Sequence, residues 1–201
     1  MQKRLQKGTY GYLNKNKIYA WKKAVLMLAV PVIIFLVAWA VHKTRENVMT
    51  VVAIVGCLPG CNQVVRAIMA SRYHSIEEEL YQEVEEAKGK CVALYENVFT
   101  AYERTYYIDA IVVLGREIVG YTSVTETDTK KAAEHIRELL KKNAYKQNVR
   151  IFPAGERKAY LERVKKLADM MPEEVPFKGD ERYPGFTREE IVVHLIRAIS
   201  L

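Results

Sequence analysis

Two apolar runs dominate the first third of the chain. Residues 24–41, AVLMLAVPVIIFLVAWAV, and residues 48–65 each extend for 18 residues without a charge. At about 1.5 Å of rise per residue, each is long enough to cross a hydrocarbon core of roughly 30 Å. The pattern predicts membrane helices over 24–41 and 48–70, joined through HKTREN into a hairpin. Beyond Arg72 no comparable run occurs, and shorter periods take over.

Ser75-Ile76-Glu77-Glu78 has the form of a capping box opening a helix with Ile76, Leu80, Val84 and Ala87 on one face. Cys91, Leu94 and Val98 would continue a helical spacing. Gly89 and the β-formers of CVALYENVF favour a break at 88–90 and a strand from Cys91 to Phe99 instead. Ile108 to Leu114 is an apolar, β-branched run, as in a strand buried on both faces. Gly115-Arg116 is a two-residue turn signal that pairs it with Glu117–Val124. Asp128 then caps a helix with Ala132, Ala133, Ile136, Leu139 and Leu140 inward and Asn143 near its end. Val149–Phe152 reads as a strand, and Glu156–Met170 as a helix with Leu161, Val164 and Leu167 on its apolar side. Pro172–Pro184 reads as a loop. Thr187-Arg188-Glu189-Glu190 is a second capping box, before a helix with Ile191, Val192, Leu195 and Ile199 inward.

The expected class is therefore α+β. A basic segment (1–23) precedes the transmembrane hairpin (24–70), and a cytosolic domain (72–201) of order α-β-β-β-α-β-α-α follows.

Charge supports that division. Residues 1–66 hold 10 Lys/Arg against one acid, a net of +9, whereas 67–201 hold 21 against 23, a net of −2, which together give the +7 of the whole chain. The basicity belongs to the membrane-flanking part, where it acts as an orientation signal and contacts lipid headgroups. The domain has no surplus of positive charge for phosphates, which counts against nucleic acid as a partner. Seven lysines and arginines precede the first span without an acid, so both termini are expected in the cytoplasm, at the inner membrane of a bacterial-type cell. Tyr19, Trp21 and Trp39 fit interfacial anchors. Ala38-Trp39-Ala40 loosely resembles a signal-peptide cleavage site, but the basic region is long and a second apolar run follows closely, so a retained hairpin is expected.

Cys57 and Cys61 stand at i and i+4, where helical geometry puts Cβ atoms about 5–6 Å apart. A disulfide needs about 3.5–4.5 Å. Cys57 lies near the expected membrane midplane, and His42, His74, His135 and His194 are not placed to complete a metal site at that depth. Packing explains the stretch more simply. Gly56 and Gly60 form a G-x-x-x-G step, with Cys57 and Cys61 as the adjoining small pair. Pro59, like Pro31, is expected to kink its helix, and Asn62 and Gln63 offer interhelical hydrogen bonds. Cys91 stands alone.

The order α-β-β-β-α-β over about 75–152 resembles the restriction-endonuclease-like PD-(D/E)XK superfamily. ALYENVFTAYERTYYIDAIVV looks like its NERD branch, in which Ile-Asp opens the second strand. The resemblance implies a divalent metal, best Mg²⁺, held between Asp109 and an acid-x-Lys on the third strand, with the lysine acting on water. The Gly115-Arg116 turn sets Asp109 opposite Thr122, flanked by Tyr121 and Ser123, where no acid-x-Lys stands. Asp128-Thr129-Lys130 comes six residues later, about 20 Å away if extended. An active nuclease would therefore need the chain to fold Glu126 or Asp128, with Lys130, back onto Asp109. The simpler assignment has Asp109 beginning a strand and Asp128 capping a helix.

No phosphate-cradling glycine motif, H-E-x-x-H or C-x-x-C occurs. His135 and His194 fit solvated or satisfied helical positions, and Tyr102, Tyr106 and Tyr107 fit core-edge packing. The chain reads as a membrane-tethered interaction or regulatory module without cofactor or metal, its partners being the bilayer and a protein or a second copy of itself. A metal-dependent nuclease is the first alternative. The second is a subunit of an oligomeric membrane complex or pore, lined or packed by Pro31, Pro59, Asn62 and the small-residue stripe.

Overall fold

The computed structural model describes residues 7–42, 48–101, 104–170 and 182–200. It is a mixed α+β structure with two compact units, one of Met1–Tyr12 and Ser75–Leu201, the other of Leu13–His74.

The helical unit holds α1 (Tyr12–His42) and α2 (Val48–Ala70), both long and apolar enough to cross a membrane. The second matches its expected bounds. The first starts well before residue 24, because Lys15, Lys17, Lys22 and Lys23 are good helix formers and nothing between Tyr12 and Ala24 stops a helix. The basic segment is thus no separate element: its later half is the first three turns of α1. Residues 43–47 of the expected turn lie outside the described residues. Helix runs unbroken through Pro31 and Pro59.

Small residues form the seam between the two helices. Ala24, Pro31 and Ala38 are the buried positions of the apolar part of α1, and Ala53, Gly60 and Ala67 those of α2, each series spaced by seven. A seven-residue period keeps a seam facing one partner helix. A Cβ added at Gly60 would meet Leu28 Cδ2 at 2.6 Å, so only glycine admits that side chain. Near one end of the pair, Trp21 Nε1 donates to Ser71 Oγ at 3.0 Å, and Ser71 Oγ donates to the Ala67 carbonyl at 2.8 Å.

The other unit is built on a four-stranded sheet in the order β1-β2-β3-β4: β1 (Val92–Thr100), β2 (Thr105–Leu114), β3 (Glu117–Tyr121) and β4 (Asn148–Phe152). The first three are antiparallel, and β4 adds parallel to β3 after a helical crossover. Helices α4 (Thr129–Lys142) and α6 (Arg188–Ile199) pack on one face with Leu94, Phe99, Ile108, Ile111 and Ile118. Helices α3 (Glu78–Ala87) and α5 (Arg157–Asp169) pack on the other with Tyr95, Ala110, Val112 and Val119. The element order is the expected one. The break before β1 falls where Gly89 adopts φ +51°, and Gly115, at φ +55°, makes the β2–β3 turn.

Three local expectations need correction. The box at Ser75 does not form: α3 starts at Glu78, and its N-cap Glu77 makes no side-chain capping bond. Strand β3 ends at Tyr121 rather than Val124, because Thr122 Oγ1 donates to the Tyr107 carbonyl and Val124 N–H donates to Thr122 Oγ1. On α5 the inward face begins with Tyr160, while Leu161 is only half-buried. The box at Thr187 forms completely, with Glu190 N–H donating to Thr187 Oγ1 and Thr187 N–H to the Glu190 carboxylate.

Strand β1 is a sheet edge, and the chain covers it with its own ends. Tyr95 N–H donates to the Gly8 carbonyl at 3.0 Å, and Phe99 bridges Ser200, whose carbonyl accepts from Lys7 Nζ at 3.0 Å. Such cover removes a template for intermolecular strand pairing. Gly8 sits at φ +78° with an added Cβ only 2.8 Å from Leu94, so the N-terminal segment lies close against β1.

Replacing Thr187 by Ala should destabilise the sheet unit by about 1 kcal/mol through the lost cap. Faster amide exchange along α6 checks this; unchanged exchange contradicts it.

Candidate functional site

Asp109 and Glu96 are the two carboxylates buried in the sheet, at 3% and 2% exposure. They stand opposite each other between β1 and β2, at the one place where the ladder skips a pair: Tyr95 faces Ala110 and Asn97 faces Ile108, with Glu96 and Asp109 between. Glu96 has φ +55°, which is rare for a residue with a Cβ. The alternation of both strands reverses there. Leu94 and Phe99 share one core, as do Ile108 and Ile111, although each pair differs in parity. The polar pair therefore marks the point where both strands turn over together.

Each carboxylate is engaged by donors from its own chain. Ser123 donates twice to Asp109, from N–H to Oδ2 at 2.5 Å and from Oγ to Oδ1 at 3.1 Å. The Tyr107 hydroxyl adds a further hydrogen bond. Gly11 N–H donates to Glu96 Oε1 at 2.8 Å, so the segment that covers β1 also reaches this carboxylate. Beside it, Tyr10 stacks on Tyr81 with ring centroids 4.3 Å apart, and Tyr81 meets Tyr95 edge-on at 4.9 Å.

Burial raises the Asp109 carboxyl above the usual range, and the Ser123 and Tyr107 bonds offset this only in part. Burial, reinforced by the charge of Asp109, raises Tyr107 and the fully buried Tyr160. At Glu85 desolvation is overcome by hydrogen bonds from Lys88 and Tyr95, which hold the carboxyl below its usual value. Burial pushes the Cys91 thiol up, which makes it a poorer nucleophile. Among the described residues the Asn97 side chain, wholly buried, has no hydrogen-bond partner, nor has the Tyr160 hydroxyl.

The residues that would complete a nuclease site do not gather at Asp109. Glu126 and Lys130 are exposed. Asp128 is the N-cap of α4, its Oδ1 accepting from Lys131 N–H at 3.1 Å and its Oδ2 lying 3.8 Å from Lys131 Nζ. Among the described residues no group of three or more His, Cys, Asp or Glu is placed to share a metal ion. The acid-x-Lys that would share Mg²⁺ with Asp109 does not stand beside it, where Thr122 and Ser123 are instead. Tyr102 lies outside the described residues, while Tyr106 and Tyr107 are buried in the sheet. His194 meets Tyr183 edge-on, and His135 lies against Tyr106. A groove of about 550 Å³ runs beside Glu86, Lys90, Lys165 and Asp169, where charge of both signs alternates, and Asp109 does not line it.

In the helical unit the six expected packing residues divide. Gly60 is buried and Gly56 and Cys57 are half-buried toward α1, with Pro31 Cβ 3.4 Å from a Cβ built on Gly56. Pro59, Cys61 and Asn62 face outward. The α1–α2 seam accounts for the first three and leaves the others uncovered. Cys57, Cys61 and Cys91 are all free thiols.

Glu96 and Tyr160 did not stand out in the sequence. The signal for Glu96 was the adjacent pair Glu96-Asn97 inside the apolar strand LYENVF, which no simple alternation accommodates. Compared with family models, curated proteins and solved structures, the chain matches none.

Two substitutions separate shape from charge at Asp109. Asp109→Ala leaves the Ser123 N–H unpaired and should cost about 1–3 kcal/mol. Asp109→Asn keeps an acceptor and removes the buried charge. A carboxyl raised on folding adds stability below its unfolded pKa and loses it as pH rises through the folded value. The wild type should therefore gain on Asp109→Asn as pH falls from neutral toward 4. Denaturation followed by tyrosine near-ultraviolet dichroism measures this; a pH-independent difference contradicts it.

Proposed function

We propose that this chain is a membrane-tethered, non-enzymatic module: a helical hairpin in the inner membrane presents a nuclease-like α+β domain to protein partners on the cytoplasmic side. One observation carries the reading. Asp109, the strand carboxylate that a nuclease of this topology would use, has no acid-x-Lys beside it; it is engaged by Ser123 and Tyr107 and stitches β2 to the chain leaving β3.

Three further features support it. Both connections of the helical unit, before Leu13 and after His74, run into the same soluble unit, as a hairpin requires. The lysines that precede the apolar part of α1 fit a cytoplasmic position for that end. The near-balanced charge of 67–201 favours a protein surface over a phosphate backbone.

Glu96 gives the nuclease alternative its one supporting observation, a second buried carboxylate opposite Asp109. The discriminating assay incubates the full-length protein in lipid nanodiscs with single- and double-stranded DNA and RNA and Mg²⁺ or Mn²⁺. The proposal expects no cleavage above that of Asp109→Ala. Metal-dependent cleavage abolished by Asp109→Ala would overturn it.

A further inference from the structure

Helix α2 has a second face that the chain itself leaves bare. Val51, Val55, Leu58, Asn62, Val65 and Met69 follow a 4-3-4-3-4 spacing. At 3.6 residues per turn they fall within about 40° of one direction, roughly opposite Gly60. The five apolar members are 56–67% exposed, and Asn62 is exposed among them.

Asn62 lies well inside the span Thr50–Ala70, where no water satisfies an amide. Among the described residues its side chain has no hydrogen-bond partner. Residues 24–41 of α1 contain no amide, hydroxyl or charged side chain that could supply one. Gln63 is the adjacent residue and points elsewhere on the helix. Arg66, one turn along at i+4, makes no hydrogen bond with it in this structure, which leaves the amide open to a partner at the same depth outside the chain.

We infer that this stripe is where two copies of the chain pair in the bilayer, each Asn62 hydrogen-bonded to its counterpart on the second copy. A primary amide donates and accepts, so it is complementary to itself across a two-fold axis. Copies inserted in the same orientation meet in parallel, which places both amides at one depth. The spacing puts Val55, Asn62 and Met69 at a positions of a heptad and Val51, Leu58 and Val65 at d. A single Asn at an a position fixes the register of such a pair. The inference rests on α2 spanning the membrane, and goes beyond the proposed function in naming the partner of that helix.

The test uses the full-length protein in lipid vesicles, with dimerisation read by energy transfer between labelled copies. Asn62→Leu should raise the dissociation constant about tenfold, and Asn62→Gln should restore most of the affinity. In a background with Cys57, Cys61 and Cys91 changed to Ala, Leu58→Cys and Val65→Cys should cross-link on oxidation, and Val52→Cys should not. Equal dimerisation of wild type and Asn62→Leu, or equal cross-linking through Val52→Cys, would overturn the pairing. A monomeric wild type that resists carbonate extraction overturns the pairing alone. Release of the protein by carbonate overturns the membrane-spanning reading beneath it.

Discussion

Residues 8–11 meet β1 immediately before α1 begins, and the organisation of the chain depends on those contacts. The Gly8 carbonyl accepts from Tyr95, Gly11 donates to Glu96, and Tyr10 stacks on Tyr81. The segment leading into the helices is held on the sheet unit, and the helical pair is inserted, in sequence, between the two parts of that unit. The same contacts cover the edge strand and bring a donor to a buried acid, so one short segment meets three separate needs.

The buried acids themselves follow from strand geometry. A strand packed by helices on both faces has no solvent side on which to place a polar residue. Glu96 and Asp109 stand where both strands turn over, and donors from Gly11, Ser123 and Tyr107 make their burial tolerable.

Much of this was legible in the sequence, and the exceptions have physical causes. The apolar runs located both long helices, and β-former content with the breaks at Gly89 and Gly115 located the strands, the first of them against a helical spacing at 91–98. The hairpin register alone puts Thr122 and Ser123 beside Asp109. Residues 8–11 were opaque, because a segment held by backbone bonds to a distant strand carries no period of its own. The Ser75 box failed although its letters matched, since a cap forms only where the helix starts. The Gly56–Gly60 step suggested a four-residue stripe, whereas the longer seven-residue series Ala53, Gly60 and Ala67 decides which face meets α1.

The central claim is that the two chain ends share one side of the membrane, with the soluble unit on the cytoplasmic face. Protease-cleavable tags fused separately to the N- and C-termini test it in spheroplasts and in inverted membrane vesicles. Both tags should resist cleavage in spheroplasts and be cut in inverted vesicles. Cleavage of either tag from outside the spheroplast would contradict the account.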